Sequence, residues 1–328
     1  MVSLPENLSL AQTPTPLHSL DRLTAQLNGP RIWIKRDDLT GCLTSGNKVR
    51  KLEFLLADAI ANGCDTLITS GGVQSNHCRA VAVLGAQLGL NVHLLLRSDI
   101  EPAPVGNLLL DQLVGATISH YSKQEFNQLD AIFSHWQEHY REQGAKPYCI
   151  PTGGSNGMGV WGYIAAAEEL KADFARENIS PSRLVLATGS GGTQAGLIVG
   201  CALHNIPISI EAFAVCDNAA YFERKVRDDL RQWQQQFAPH IDVEEFPINT
   251  NDQYVGPDYG AAGPEVFATL KELAALEGVI LDPVYTGKAF HGMLQQIRQG
   301  HYRDDTDIVF VHTGGLFGLL AQQDQLNY

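Results

Sequence analysis

Residues 32–56 read IWIKRDDLTGCLTSGNKVRKLEFLL and contain the transition around which the rest of the chain is organised. An apolar, β-branched strand is followed by a polar loop that closes at Ser45, Gly46 and Asn47, and an amphipathic helix comes next. Lys48 lies at the start of that helix, where the helix dipole favours anions and lowers the pKa of a cation. Because the neutral amine is the form that attacks a carbonyl carbon, Lys48 is a candidate nucleophile, although a solvated lysine in a first helical turn is the commoner case.

The composition limits the class of protein and its partners. The 328 residues are 44% hydrophobic and 18% charged, which predicts two domains or one large α/β unit. The net charge of −13 disfavours nucleic acid, whose phosphates require clustered Lys and Arg, and no apolar run is long enough to predict a membrane span. The six cysteines are scattered without a CxxC pair, which predicts reduced thiols and no metal site in a cytoplasmic protein.

Apolar strands alternate with amphipathic helices along the chain, which predicts an α/β fold with open, mostly parallel sheets flanked by helices. The predicted strands include residues 65–70, 91–97, 183–187, 279–281 and 307–312. A helix is predicted over residues 124–143, and residues 249–264, rich in Asn, Gly, Pro and Tyr, are predicted to form an ordered functional loop. Because no flexible linker interrupts the alternation, any second domain has to be inserted into the first.

Four strand-to-helix turns are rich in Gly, Ser, Thr and Asn: SGNK (45–48), SGGVQSNH (70–77), TGSGGT (188–193) and HTGG (312–315). In a parallel sheet such turns lie at the carboxyl edge, where open α/β proteins bind ligands. Glycines let backbone N–H groups approach an anion, and a helix dipole favours negative charge, so TGSGGT is predicted to hold a phosphate. The need for a tight turn alone would account for one glycine-rich loop, but it accounts poorly for four of them.

Two nucleotide-binding motifs do not fit the TGSGGT loop. The dinucleotide pattern G-x-G-x-x-G requires glycine at position 194, where the chain has Gln194, and Glu211 lies in the middle of a predicted strand. A P-loop is excluded because no GK[ST] follows the glycines. The loop therefore predicts a phosphate ligand without indicating a nicotinamide cofactor.

The other turns supply polar side chains for a substrate. SGGVQSNH places Ser75, Asn76 and His77 at a helix start, where they either cap the helix or hold a carboxylate together with free N–H groups. Tyr285 lies in the turn DPVYTGK, and Tyr259 lies in the long predicted loop. A tyrosine usually lies in the core or at its edge, but two tyrosines beside glycine-rich turns are candidate proton donors.

The motifs KRDDLTG, SGNKVRKLEF, QSNH, TGSGGTQAG and LDPVYTGKA extend in this order over nearly the whole chain. In that order they resemble the 1-aminocyclopropane-1-carboxylate deaminase and D-cysteine desulfhydrase family, pyridoxal-phosphate enzymes of the tryptophan-synthase β fold type. The resemblance implies a larger cofactor-binding domain over residues 1–50 and 160–328, and a smaller α/β domain inserted over residues 51–159. It also implies a homodimer that acts on a small amino acid.

The resemblance assigns residues to the cofactor, pyridoxal 5'-phosphate. It implies that Lys48 forms a Schiff base with the cofactor aldehyde, with Asn47 beside it, and that Asn76 faces the 3-hydroxyl group of the ring. The residues implied to hold the phosphate are Gly189, Ser190, Gly191, Gly192 and Thr193.

The resemblance also assigns residues to the substrate. Ser75, Asn76 and His77 are implied to hold the substrate carboxylate. Tyr259 and Tyr285 are implied to line the substrate side, and the implied catalytic residues are Lys48, Ser75, Tyr259 and Tyr285.

Two positions separate the branches of the family. The deaminases are expected to have Glu after the tyrosine and Leu after the histidine, whereas this chain has Thr286 after Tyr285 and Thr313 after His312. A hydroxyl group at the pyridine nitrogen, unlike a carboxylate, does not keep that nitrogen protonated. Thr286 and Thr313 are therefore implied cofactor contacts that favour loss of a good leaving group over opening of a cyclopropane ring. Ser45 stands where the family commonly has glycine, so the resemblance specifies the cofactor more closely than it specifies the substrate.

The sequence thus predicts a lyase that converts D-cysteine, or a close β-substituted alanine, to pyruvate, ammonia and sulfide. Within the same class, the alternatives are a 1-aminocyclopropane-1-carboxylate deaminase and a sulfo-lyase that releases sulfite from L-cysteate. The latter requires an extra cationic or donor group near residues 75–77 or Tyr259. Alternatives from other classes are a nicotinamide-dependent oxidoreductase and a non-catalytic ligand-binding protein.

Overall fold

The computed structural model describes residues 2–100 and 102–326. Its strands are β1 (Leu17–Ser19), β2 (Arg31–Lys35), β3 (Thr66–Gly72), β4 (Asn91–Arg97), β5 (Thr117–Tyr121), β6 (Pro147–Ile150), β7 (Arg183–Thr188), β8 (Ser209–Ala214), β9 (Asn249–Asn251) and β10 (Asp307–Val311). Its helices are α1 (Asp21–Gln26), α2 (Asn47–Ala61), α3 (Asn76–Gln87), α4 (Gly106–Leu113), α5 (Leu129–Glu142), α6 (Trp161–Arg176), α7 (Gly192–Leu203), α8 (Ala219–Phe237), α9 (Pro264–Glu277), α10 (Thr286–Arg298) and α11 (Leu316–Leu320).

The larger sheet contains six strands in the order β1-β2-β10-β7-β8-β9. All of its neighbouring strands are parallel except β1, which pairs with β2 in the antiparallel sense. Alternate residues of each strand face opposite sides of the sheet, so Trp33 and Val309 belong to one apolar cluster while Ile34 and Phe310 belong to another. Burial on both faces is typical of a parallel sheet with helices on each side.

The smaller sheet contains four parallel strands in the order β5-β4-β3-β6. All four lie between residues 66 and 150, inside the segment predicted to be an inserted domain. Their apolar side chains pack with those of α2 and α3 in a third cluster, which includes Leu52, Leu67 and Val81. The division into domains at residues 51 and 159 stays a prediction. The mostly parallel α/β fold is confirmed.

Three local predictions differ from the structure. Residues 279–281 form no strand, although Val279 and Leu281 are buried, because they lie between the left-handed Gly278 and the turn at Asp282 and have no neighbouring strand to pair with. The segment predicted to be a loop begins with a short strand, β9, that pairs with β8. The helix predicted from residue 124 begins as a 3₁₀ turn over Glu125–Gln128 before α5 starts.

A buried network of charged side chains fixes helix α2. The Arg50 guanidinium donates two hydrogen bonds to Asp37, with Nε–Oδ2 and Nη2–Oδ1 distances of 2.9 and 2.8 Å, and a third of 3.0 Å to Glu169. Lys35 pairs with Glu169 and with Asp173 on helix α6. The Arg50 charge and hydrogen bonds hold the pKa of Asp37 below its ordinary value despite the opposing effect of burial. The network ties α2 to the end of β2 and to α6.

Within the described residues, every helix is too short or too polar to cross a membrane.

Candidate active site

The four glycine-rich turns meet around one cavity, as predicted from the parallel topology. The cavity has a volume of about 190 Å³. Its walls include Lys48 from the first turn, Ser75 from the second, Ser190 from the third and Thr313 from the fourth. Turns from both sheets contribute, so the cavity lies where the carboxyl edges of the two sheets face each other.

Lys48 is held in place by the turn that precedes helix α2. Gly46 has a φ of +113°, and a Cβ atom there would lie 2.5 Å from the Thr313 carbonyl oxygen, so only glycine allows this approach. The Asn47 amide then donates to Thr193 Oγ1 at 2.9 Å and its Oδ1 accepts from Lys48 Nζ at 3.1 Å. The lysine is thereby connected to the TGSGGT turn through one side chain.

The environment of Lys48 favours the neutral amine. Burial, together with the nearby Arg79 charge, lowers the pKa of Lys48 to about 8, and Asp282 opposes the shift only weakly. The Arg79 side chain is itself buried and donates to the Ser45 carbonyl oxygen at 2.6 Å. The Arg79 cation therefore contacts the loop that precedes Lys48. A substantial share of the Lys48 side chains is uncharged at moderately alkaline pH.

The TGSGGT turn and helix α7 form a cradle suited to an anion. Gly191 has a φ of +87°, which allows the turn to bend into the helix. The Gly192 N–H donates to Ser155 Oγ at 3.1 Å, and Ser155 donates to Ser190 Oγ at 2.9 Å. A Cβ atom at position 192 would lie 2.6 Å from Ser155 Oγ. Hydroxyl groups, backbone N–H groups and the positive end of a helix thus come together.

Lys51 completes this cradle, although its role was not predicted from the sequence. It lies one helical turn after Lys48 and is 1% exposed, and its Nζ donates to Gly153 O at 3.1 Å and to Ser155 Oγ at 3.2 Å. Burial, followed by repulsion from Lys48, lowers the pKa of Lys51 well below its ordinary value. A dianionic group at the cradle would relieve both effects. The i, i+3 spacing of the two lysines in NKVRK was the signal that could have revealed it.

The SGGVQSNH turn leads into helix α3 and offers a site for a carboxylate. Ser75 Oγ accepts the N–H of Cys78 at 3.2 Å, so the capping interpretation of Ser75 is correct. The first N–H groups of a helix have no partner within the helix, which leaves those of Asn76 and His77 available. Asn107 Nδ2 donates to Asn76 Oδ1 at 3.1 Å and to the Gln74 carbonyl oxygen at 3.0 Å, and so fixes this turn from helix α4.

The His77 side chain is a neutral acceptor. Thr69 donates its hydroxyl proton to the Ile150 carbonyl oxygen at 2.8 Å, so toward His77 Nε2, also at 2.8 Å, it accepts. The proton therefore belongs on Nε2 and leaves Nδ1, buried and without a partner among the described residues, as an acceptor. Burial and the charges of Lys48 and Lys51 lower the pKa of His77 well below its ordinary value. Its backbone N–H, rather than its imidazole, is suited to a carboxylate.

Tyr259 and Tyr285 form a pair in the cavity wall. Their hydroxyl groups are hydrogen-bonded to each other, and their ring centres are 6.0 Å apart. Asp282 positions Tyr285 by accepting its N–H at 2.9 Å. Burial raises the pKa of Tyr259 to about 12 and raises the pKa of Tyr285 well above its ordinary value. Both phenols hold their protons near neutral pH, as a proton donor must.

Two of the predicted cofactor contacts do not line the cavity. The Thr286 hydroxyl donates to Asp282 Oδ1 at 2.7 Å and accepts the Asp282 N–H at 2.9 Å, so it is used within its own turn. Gly192 lies behind the wall and acts through Ser155. Thr313 does line the cavity. The predicted contact of Thr286 with a cofactor ring therefore has no support from this geometry.

Several cavity residues were not predicted. Thr152 and Gly153 belong to the turn after β6, a fifth polar turn whose composition TGGSN resembles the other four. Arg97, Phe126 and Cys216 also line the cavity. Arg97 is the last residue of β4 and follows three leucines. Only the pairing of the strands shows that its side chain lies at the same edge as the polar turns.

Comparisons with known proteins agree with this arrangement. A family model described as "Pyridoxal-phosphate dependent enzyme" matches residues 8–314. A mitochondrial bifunctional D-cysteine desulfhydrase/1-aminocyclopropane-1-carboxylate deaminase of Arabidopsis thaliana is 42% identical over 97% of this chain and 80% of its own length. A D-cysteine desulfhydrase of Serratia proteamaculans is 40% identical over 97% of this chain and 96% of its own.

A solved structure resembles the whole chain. The crystal structure of an ACC deaminase homologue superposes with a TM-score of 0.89 at 35% sequence identity, over 98% of this chain and 95% of the other.

We expect the Lys48 amine of the cofactor-free protein to lose its proton near pH 8, because burial and Arg79 lower its pKa from the ordinary 10.5. The measurement is the rate of reductive methylation of each lysine against pH, followed by peptide mass spectrometry. Lys123, whose side chain is 70% exposed, provides the reference profile in the same sample. Coincident profiles for Lys48 and Lys123 would contradict the expectation.

Proposed function

Since the chain belongs to the pyridoxal-phosphate dependent enzymes, we propose that it is a carbon–sulfur lyase that eliminates the β-substituent of D-cysteine or a close β-substituted alanine. The observation that carries the proposal is the position of Lys48. Its amine, with a lowered pKa, lies between an anion cradle, a carboxylate site and a tyrosine pair. The names of the two similar relatives, both of which include D-cysteine desulfhydrase, support the choice of substrate.

The residues around the cavity fit the cofactor. The cradle of Ser190, Ser155 and Lys51 suits its phosphate, and Lys48 is the amine that can bind its aldehyde. Bound pyridoxal phosphate supplies an electron sink that stabilises negative charge at the substrate α-carbon. The protein therefore has to orient the substrate, remove the α-proton and protonate the leaving group.

The chain provides a group for each of these tasks. The N–H groups of Asn76 and His77 hold the substrate carboxylate, and the neutral Lys48 amine accepts the α-proton. The Cβ–S bond then breaks, and the sulfur leaves with the bonding electrons and takes a proton from the Tyr259–Tyr285 pair. The resulting enamine is hydrolysed to pyruvate and ammonia, so no oxidant or reductant is needed.

The acidic groups near the cavity favour elimination over cyclopropane opening. Among the described residues that line the cavity, only Asp217 carries a carboxylate. Asp282 is close to Lys48, but its oxygens accept three backbone N–H groups and the Thr286 hydroxyl. Thr313 is the polar group left at the HTGG turn, and a hydroxyl does not keep a pyridine nitrogen protonated. The weaker electron sink suits a good leaving group. Deamination of 1-aminocyclopropane-1-carboxylate remains the second candidate, because two of the similar proteins carry that name.

The substrate assignment predicts that purified enzyme releases sulfide from D-cysteine faster than 2-oxobutanoate from 1-aminocyclopropane-1-carboxylate. Keto acid and sulfide are measured in parallel, and the L-enantiomer of cysteine is assayed beside the D-enantiomer. Lys48→Ala should abolish turnover and the visible absorbance of the lysine-bound cofactor. Faster release of 2-oxobutanoate would reverse the order of the two candidates, and full activity in Lys48→Ala would remove the lysine from the mechanism.

We expect Lys51→Met to weaken cofactor binding roughly 10- to 100-fold, because one charge-assisted hydrogen bond contributes about 1.5–3 kcal/mol. The dissociation constant is obtained by titrating the cofactor-free protein and following visible absorbance. Lys171→Met is the matched control, since Lys171 lies on the surface and donates to the His204 carbonyl oxygen, far from the cradle in the chain. Equal cofactor affinities in the two variants would mean that the cofactor phosphate binds away from Lys51.

We further propose that the protein is a cytoplasmic homodimer. Exposed apolar side chains on the adjacent helices α4 and α11, and on the residue that precedes α4, support self-association: Val105, Leu109, Leu113, Leu316 and Leu320. All six cysteines are free thiols, as expected in a reducing compartment. Sedimentation velocity should give the mass of two chains, and Leu113→Glu should shift it toward one; a wild-type mass of one chain would refute the dimer.

A further inference from the structure

Tyr259 lies in an irregular segment between β9 and α9. Among the described residues, this segment covers positions 252–263, and its regular part is one tight turn in which the Ala261 N–H donates to the Asp258 carbonyl oxygen at 3.2 Å. Connecting segments of this kind make few internal contacts and have low local stability. Contacts with the rest of the protein therefore have to determine where the Tyr259 hydroxyl lies.

Two side chains from outside the segment hold the peptide groups on either side of Tyr259. Lys288, in the first turn of helix α10, donates from Nζ to the Asp258 carbonyl oxygen at 2.9 Å. Gln322, which follows helix α11, donates from Nε2 to the Gly260 carbonyl oxygen at 3.1 Å. The residues before and after Tyr259 are thus both anchored, and we call Lys288 and Gln322 the Tyr259 clamp.

Lys288 also connects the segment to the larger sheet and to the second tyrosine of the pair. Its Nζ donates to the carbonyl oxygen of Val215, the residue after β8, at 3.3 Å. Lys288 lies three residues after Tyr285, whose N–H is accepted by Asp282 at 2.9 Å. The start of helix α10 therefore positions both tyrosines, Tyr285 directly and Tyr259 through Lys288, and their hydroxyl groups meet.

Lys35 shows how a buried lysine with a purely structural role differs from Lys288. Both side chains are buried, but Lys35 pairs with the carboxylates of Glu169 and Asp173. Among the described residues, no carboxylate lies within ion-pair distance of Lys288, and the oxygens that accept its protons belong to backbone carbonyls. Because burial of a cation without an anion is unfavourable for stability, the contacts of Lys288 are better explained by the segments that they position.

The position of Tyr259 depends on the clamp because its remaining contacts are weakly directional. A Cβ atom built on Gly72 of the smaller sheet would lie 3.4 Å from the Tyr259 ring, and the guanidinium carbon of Arg97 lies 5.5 Å from the ring centre. Packing and cation–π contacts tolerate a sliding ring, whereas the hydrogen bond between the two tyrosine hydroxyls requires a defined distance and angle. The anchored backbone provides that definition.

We propose that Lys288 and Gln322 are positioning residues for the elimination step, and that they hold Tyr259 where the tyrosine pair can protonate the departing sulfur. Among the described residues that line the cavity neither is present, so both act through Tyr259. The inference rests on the proposed function and extends it beyond the residues that touch the substrate. In this step the Cβ–S bond breaks, the sulfur keeps the bonding electrons and receives the phenol proton, and the phenolate regains a proton from water.

The test compares, in the holoenzyme, a leaving group that needs a proton with one that leaves without it. Cysteine loses a basic thiolate and 3-chloroalanine loses chloride, each assayed as the enantiomer that the wild type prefers, with keto-acid release as the readout. Lys288→Met should lower kcat for cysteine roughly 10- to 100-fold, as a misplacement of about 1 Å does, and that for 3-chloroalanine less than about threefold. KM should change little for either substrate, because the carboxylate site stays intact.

A second substitution shows whether Lys288 acts through the tyrosine. Tyr259→Phe removes the hydroxyl group and should lower kcat for cysteine roughly 100-fold, as loss of a general acid does. Adding Lys288→Met to Tyr259→Phe should cause little further loss, because the group that Lys288 positions is already gone. An independent structural effect of Lys288 would instead add to the loss in Tyr259→Phe, which would contradict the proposal.

Three further variants separate the clamp from a folding defect and from general loosening of the segment. Gln322→Leu removes the other half of the clamp and should show the same selective loss for cysteine. Gln296→Leu is the matched control: Gln296 donates to the Tyr254 hydroxyl at 2.9 Å, so it contacts the same segment five residues before Tyr259. It should leave both substrates unaffected. Lys288→Arg keeps the charge and the donors and should recover part of the activity.

The outcomes distinguish this inference from the proposed function. Equal losses for both substrates in Lys288→Met and Gln322→Leu would mean that the two residues are structural, which overturns the clamp and leaves the lyase intact. Unchanged kcat for cysteine in both variants, or the same selective loss in Gln296→Leu, would also overturn it. Failure of the wild type to release keto acid from cysteine or 3-chloroalanine, in either enantiomer, would refute the proposed function itself.

Discussion

The buried ion pair between Arg50 and Asp37 is the interaction on which the site depends. It fixes helix α2 against the end of β2, while Glu169 ties the same arginine to helix α6. A buried pair of this kind adds little to stability compared with apolar packing, but loss of one partner leaves an uncompensated buried charge. Its consequence here is geometric. With Arg50 held on one side of the helix, Lys48 reaches the cavity and the buried Lys51 reaches Gly153 and Ser155.

Burial then sets the protonation states of the cavity residues, and it acts on acids and bases in opposite directions. It lowers the pKa of Lys48 to about 8 and keeps His77 neutral, and it raises the pKa of Tyr259 to about 12. One physical cause thus increases the uncharged share of the amine and keeps the phenol protonated. Groups whose environments move their pKa values apart in this way are suited to base and acid roles in a single reaction.

The charges around the cavity are distributed for anions at more than one place. Lys51 and the start of α7 form the proposed phosphate site, the start of α3 forms the proposed carboxylate site, and Arg97 lies in the cavity wall beside Tyr259. Of the described residues that line the cavity, Asp217 alone is acidic, and it is exposed. A chain with a net charge of −13 therefore presents a locally cationic cavity, because local fields and not the total charge act on a small ligand.

The sequence by itself determined the alternation of strands and helices, the glycine-rich turns and the position of Lys48 at a helix start, because periodicity and turn chemistry act over a few residues. It wrongly predicted a strand at residues 279–281, where Val279 and Leu281 are buried but pair with no neighbouring strand. Only the tertiary structure assigned Lys51 and Ser155 to the cradle, Thr286 to its own turn, and Arg97 to the cavity. These assignments depend on which strands lie side by side and which polar groups burial leaves without partners, and residues far apart in the chain decide both.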